Sequence, residues 1–99
     1  LKLQAKIIYH LSEDAYSIDD LAQDLQLSRS QLYRKIKALT DLSTSIYIRN
    51  IRLKQAQGLL LEDKYAISEV AYKVGFKSPA YFSQAYRDVF GYAPTQEGG

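Results

Sequence analysis

The sequence predicts an all-α fold: two helix-turn-helix subdomains joined by a long linker helix. Three observations carry that prediction. Apolar side chains recur at helical spacing along the chain, and no segment keeps the period-two alternation of a strand. Serines stand where helices would begin, twice followed three residues later by an acid or amide that completes a capping box. Residues 17–44 are also repeated in 66–94. Ile18, Leu21, Ala22, Leu25 and Leu27 match Ile67, Val70, Ala71, Val74 and Phe76 at an offset of 49. Ser28, Leu32, Ile36 and Leu39 match Ser78, Phe82, Tyr86 and Val89 at an offset of 50, because the second turn is one residue longer.

Each element follows from its residues. Residues 2–12 set Leu3, Ile7, Ile8 and Leu11 at helical spacing. Ser17, with Asp20 as its capping-box acid, opens a short helix whose stripe is Ile18, Leu21, Ala22 and Leu25, ending near Asp24. Gln26-Leu27 is a tight connection. Ser28 with Gln31 opens a longer helix; Leu32, Ile36 and Leu39 form its apolar stripe, while Arg29, Ser30, Tyr33, Arg34 and Lys37 point elsewhere. Ser43 and Thr44 start the linker helix, which runs to about Glu62 and buries Tyr47, Ile48, Ile51, Ala56, Leu59 and Leu60. Residues 67–74 form another short helix through Ile67, Val70, Ala71 and Val74, and Gly75-Phe76-Lys77 turns the chain. Ser78 is an N-cap with Pro79 at the first helical position, where a missing N–H costs nothing. Tyr81, Phe82, Tyr86, Val89 and Phe90 carry this helix to Gly91, a natural stop. Ala22 and Ala71 are small enough to let two helices cross closely. The expected organisation is a first subdomain over 1–43, the linker over 44–63 and a second subdomain over 64–96. Residues 97–99 are expected to be a flexible end or a cloning scar without a structural role.

Composition narrows the function. The chain has 99 residues, 46% hydrophobic and 24% charged, as expected of one small globular domain. It has no cysteine, which excludes disulfides, thiolate metal sites and cysteine nucleophiles, and its one histidine, His10, cannot build a metal cluster or a triad. The five glycines are scattered, two of them terminal, so no phosphate-cradling loop exists. The acidic pairs Asp19-Asp20 and Glu62-Asp63 lie at helix ends, where helix dipoles explain them. No catalytic residue, cofactor or metal is therefore expected. No apolar run reaches the ~18 residues of a membrane span, so this segment is expected to be cytoplasmic. It starts with Leu1, as expected of a piece of a longer protein. The net charge is only +2, but it is unevenly spread. Residues 12–24 hold five acids and no Lys or Arg, whereas 28–54 hold seven cations against Asp41. Such a basic stretch suits a polyanion-binding face, and equally a solvated helical surface. Likewise the repeat suits a DNA reader, with the second helix of each copy in a groove, or a helical protein-interaction module. The nine tyrosines, spread along the helices, suit packing better than a stacking platform for single strands.

Residues 17–22, 27–34, 47–53 and above all 67–91, continuing into Gly91-Tyr92-Ala93-Pro94, resemble the DNA-binding domain of the AraC/XylS family of bacterial transcription regulators. The likeness covers nearly the whole chain. The segment from Leu27 to Lys37, with its Arg-Ser-Gln-Leu-Tyr-Arg-Lys run, looks most like versions at the C-terminus of hybrid two-component sensor–regulators of Bacteroidetes type. The resemblance implies a homeodomain-like tandem that binds double-stranded DNA sequence-specifically as the output domain of a regulator, with recognition helices 28–41 and 78–90 in adjacent major grooves. Activation is the family's habit, which brings in RNA polymerase as a further partner. Dimerisation would belong to regions absent from this chain, and a hybrid-sensor parent would be membrane-anchored. The implied base contacts are Arg29, Ser30, Tyr33 and Arg34 in the first helix and Ala80, Tyr81, Ser83 and Gln84 in the second. Arg34 suits guanine O6/N7 and Gln84 suits adenine N6/N7. Lys35, Lys37, Arg49, Lys73, Lys77 and Arg87 are implied phosphate contacts, joined by the helix N-termini at Ser28 and Ser78. Arg52 is implied to be structural, bridging to an acid of a neighbouring helix. Arg34 has a competing reading as a surface ion pair with Asp41 or another acid, and Tyr81 one as a packed aromatic. Three departures stand out. Gln84 replaces a frequent Arg, Ala66 replaces a better cap, and the family's final helix after Pro94 is missing or truncated. A linker of about 28 Å, at 1.5 Å per residue, is slightly short of the ~34 Å between successive major grooves, which predicts bent DNA.

Overall fold

The computed structural model describes residues 2–10 and 17–97. Among these residues six α-helices run in order: α1 (Lys2–Tyr9), α2 (Ile18–Asp24), α3 (Arg29–Thr40), α4 (Thr44–Leu61), α5 (Ile67–Lys73) and α6 (Pro79–Phe90), followed by a single 3₁₀ turn, Pro94–Gln96. The first helix stops at Tyr9, with His10 in a turn; Leu11 and Ser12, expected to extend it, lie outside the described residues.

The caps form as their spacing requires. Ser17 and Asp20 exchange reciprocal side-chain-to-backbone bonds of 2.9 and 3.1 Å at the start of α2. Ser28 and Gln31 do the same at the start of α3, at 2.8 and 3.1 Å. Ser43 and Ser78 cap α4 and α6 by accepting from the N–H groups of Ile46 and Tyr81. Ala66 has no side-chain acceptor, but Glu69 accepts from its backbone N–H at 3.0 Å, so α5 keeps half of a box.

The repeat is geometric as well as sequential. After α2 the N–H of Leu27 reaches the carbonyl of Ala22 at 2.9 Å, with Gln26 in the left-handed region at φ 60°. After α5 the N–H of Phe76 reaches Ala71 at 2.9 Å, with Gly75 at φ 91°. Lys77 is the extra residue before the second cap. The longer helices also end alike, in left-handed caps at Asp41 and Gly91.

Two cores result, and α4 serves both. Leu3, Ile7, Leu21, Ala22, Leu32, Ile36 and Ile51 close the first. Leu53, Ala56, Leu60, Val70, Ala71, Val74, Phe76, Phe82, Ala85 and Tyr86 close the second. Ile51 and Leu53 lie about 200° apart around a helix of 3.6 residues per turn, so α4 turns one side to the first core and nearly the opposite side to the second. A single stripe on the linker therefore omits Leu53, which is wholly buried. The stripe on α3 extends one step too far: Leu39 is 60% exposed, and its repeat partner Val89 is 39% exposed. Both stand in the last turn of a twelve-residue helix whose partner, α2 or α5, is only seven residues long.

The expected free end is also corrected at Glu97. Its Oε1 accepts from the hydroxyls of Tyr86 and Tyr92, the latter at 2.8 Å, and from Gln57 Nε2 at 3.3 Å. Those bonds fasten the residue after the 3₁₀ turn to α6 and α4. They hold the Glu97 carboxyl below its ordinary range, the Tyr86 hydroxyl bond contributing most, and burial and Glu97 together push the Tyr86 hydroxyl well above its usual value. Arg52, expected to bridge to an acid of a neighbouring helix, has a backbone group among its partners: its Nη1 donates to the carbonyl of Val74 at 3.0 Å, tying α4 to the end of α5. Burial lowers its pKa.

Candidate nucleic-acid interface

The two longer helices present matching outward faces. On α3, Leu32 and Ile36 are wholly buried, which turns Ser30, Tyr33, Arg34 and Lys37 to solvent. On α6, Phe82, Ala85 and Tyr86 are buried, and Ala80, Gln84 and Arg87 stand outward at equivalent positions. Ser83 is only half exposed. Tyr81 takes both readings at once: it is 59% exposed, and its ring lies tilted 5.7 Å from that of Phe76.

The predicted side chains differ in what already holds them. Arg34 is exposed and makes no ion pair among the described residues; Asp41, its proposed competitor, pairs with Lys37 at 3.6 Å. Lys37 also donates to the Asp41 carbonyl at 3.3 Å. Arg29 Nε pairs with Asp19 of α2 at 3.2 Å. Gln84 lies between Arg87 and Asp88, hydrogen-bonded to both.

Two clefts organise the face between the subdomains. One, of about 530 Å³, is lined by Arg29, Ser30, Tyr33 and Arg34 of α3 and by Thr44 and Ser45 of α4. The other, of about 290 Å³, lies between α4 and the α5–α6 turn and is lined by Ser45, Arg49, Arg52, Phe76, Lys77 and Tyr81. Among the described residues no acidic side chain lines either one. Ser45 lines both and was not singled out by sequence; its position depends on how α3 and α4 meet, which no local pattern reveals. Arg49 is weakly held. Its Nη2 reaches Asn50 only at 3.4 Å, and its buried Nε has no hydrogen-bond partner among the described residues, a condition that favours any rearrangement bringing it an acceptor.

Some predicted contacts are not brought together. Lys35 lies about 160° around α3 from Lys37, at 3.6 residues per turn, so the two cannot face one surface. The Lys73 ammonium rests over the Tyr65 ring, 4.7 Å from its centroid, and lines neither cleft. Away from this face, His10 Nε2 pairs with Asp24 at 3.8 Å, joining the ends of α1 and α2.

Comparison with known proteins supplies the family. The helix-turn-helix domain family model matches residues 21–97. Histidine kinase P4 of Formosa agariphila is 39% identical over 97 residues, which is 97% of this chain and 7% of the kinase. The C-terminal domain of AraT, a response regulator from Geobacillus stearothermophilus, superposes with a TM-score of 0.86 at 30% identity, covering 98% of this chain and 80% of that one. The DNA-binding domain of AdpA, a global transcriptional factor solved in complex with a target DNA, superposes with a TM-score of 0.85 at 30% identity, covering 95% and 84%. The chain spans between 7% and 33% of the length of the first curated relatives it matches. With the fold repeated twice about one linker and the match running through both copies, the chain belongs to the AraC-type helix-turn-helix family of DNA-binding domains.

Proposed function

We propose that this domain reads double-stranded DNA as the output module of a larger bacterial transcription regulator, with α3 and α6 in adjacent major grooves. The observation that carries the reading is the pair of outward faces, held in one register by two copies of the same turn and separated by clefts lined with cations and, among the described residues, no acid. AdpA, its structural neighbour, is solved on DNA.

Arg34 is the principal base reader of the first helix, with Arg29, Ser30 and Tyr33 around it; Gln84 is that of the second, with Ala80, Tyr81 and Ser83. Lys37, Arg49, Lys77 and the capped helix starts at Ser28 and Ser78 hold phosphates, with Arg87 on the flank of α6. Lys35 and Lys73 are weaker candidates, given the flank of one and the Tyr65 contact of the other. The module has no enzymatic role of its own. It activates transcription through RNA polymerase, and dimerisation belongs to other parts of the regulator. Among the described residues no helix is long and apolar enough to cross a membrane, in keeping with a cytoplasmic location for this module. The likeness to a histidine kinase and a response regulator supports a two-component parent, membrane-anchored if it is a hybrid sensor.

Selection from a random-sequence duplex pool at low salt, followed by a salt titration of the selected duplex, tests this reading. Two short boxes about one helical turn apart are expected. Binding that ignores salt and survives Arg34→Ala unchanged would make the domain a helical protein-interaction module instead.

A further inference from the structure

The carboxamide of Gln84 is held at both ends. Its Oε1 accepts from Arg87 Nη2 at 2.9 Å, and its Nε2 donates to Asp88 Oδ1 at 3.0 Å. The three residues sit at i, i+3 and i+4 on α6, the spacing at which helical side chains meet. The flanking charges fix the sense of the amide. Turned over, it would set its NH₂ against a guanidinium and its oxygen against a carboxylate, unfavourable at both ends. An amide has two N–H donors and two acceptor lone pairs. The two bonds therefore leave one donor and one acceptor, the pair that adenine N7 and N6–H₂ complement in the major groove.

The first recognition helix has no equivalent device. In the same register α3 carries Arg34 and Ala38. A guanidinium offers donors only and presents no reversed face that would read a different base. An amide does, so Gln84 needs an orienting partner where Arg34 does not. Asp88 also carries a cost, because a carboxylate on a DNA-facing helix opposes phosphate binding.

We propose that Asp88, acting with Arg87, is a positioning residue that sets the base preference of α6 by fixing the orientation of Gln84. The inference rests on the reading of Gln84 as a base contact, and the test separates the two. The probes are the duplex selected by the unmodified domain and its three variants at the base pair where Gln84→Ala relaxes preference. Asp88→Asn and Asp88→Ala each remove one negative charge, so both should gain the same charge-driven increment in affinity and give equal salt slopes, which leaves any change in the ratio between duplexes to geometry. Only Asn keeps an oxygen acceptor for Gln84 Nε2. The Asn variant should hold the preferred-to-other affinity ratio within about twofold, while the Ala variant should lower it at least about fivefold. An Ala variant with the unmodified ratio overturns the proposal. An equal loss in both variants also overturns it, since charge and not geometry would then be at work. If Gln84→Ala changes no ratio anywhere in the duplex, the assignment of Gln84 as a reader fails and takes the positioning role with it. Circular dichroism of both variants excludes unfolding as a cause.

Discussion

Arg34 and Lys37 stand three residues apart on one face of α3, yet their losses should differ in kind. Among the described residues Arg34 has no ion pair to give up, so its guanidinium is available to a guanine edge, and Arg34→Ala should relax preference at one base pair by ~1–3 kcal/mol. Lys37 is a flexible point charge. Its partner Asp41 is 95% exposed, and such pairs are worth about 0–1 kcal/mol, so exchanging it for a phosphate is cheap. Lys37→Ala should weaken binding to every duplex alike and flatten the salt slope by about one. Anisotropy titrations of both variants over a salt series check the pair, and an unchanged preference in Arg34→Ala would remove α3 as a reader. Much of this face was legible in sequence, because buried Leu32 and Ile36 determine which residues turn outward. The Asp88 contact was also within reach, at i+4 from Gln84. The Arg29–Asp19 pair was not, since it joins two helices whose crossing no local pattern specifies.

At the scale of elements, the caps and turns account for most of what the sequence made legible, and they differ in quality between the two repeats. Ala66 already holds the extended backbone of an N-cap, at φ −66° and ψ 155°, and already receives the Glu69 bond; only the side-chain acceptor is missing. Ala66→Ser should therefore stabilise the domain by about 0.5–2 kcal/mol. Gly75, at φ 91°, occupies a region that costs an L-residue about 1–2 kcal/mol, so Gly75→Ala should destabilise it by that order. Urea midpoints of the two variants should move in opposite directions. The misreadings at this scale share one cause. Helical periodicity reports that a face is apolar, not how far along its length a partner covers it. Leu39 and Val89 extend a correct stripe past the ends of α2 and α5, and Leu53 begins a second stripe on a helix with two cores to serve.

At the scale of the molecule, two features join parts that the sequence left separate: the Glu97 fastening and the shared linker. Glu97 ties the 3₁₀ turn before it to α4 and α6 through Gln57, Tyr86 and Tyr92. Its carboxyl is held below the ordinary value of 4.5, so the stabilisation is present in full above that value and is lost as pH falls through the lower, folded one. Glu97→Gln should remove that part of the acid sensitivity, giving melting curves that diverge from the unmodified domain at neutral pH and converge in acid. The second feature is α4. Both cores close on it, and its 18 residues measure about 27 Å. Successive major grooves on one face of straight B-DNA lie ~34 Å apart. If both recognition helices engage together while α4 stays intact, the difference falls on the DNA, and bending a site of this size costs of order 1–6 kcal/mol. That is within the reach of a second set of groove contacts, so the specific complex should hold bent DNA. In a gel-phasing series, mobility should then oscillate as the selected site is moved around the helix relative to an intrinsic bend. A flat series would mean straight DNA, with α3 and α6 not seated in adjacent grooves at once. Arg34→Ala and Gln84→Ala should then no longer affect the same bound complex, because one subdomain alone would hold the duplex.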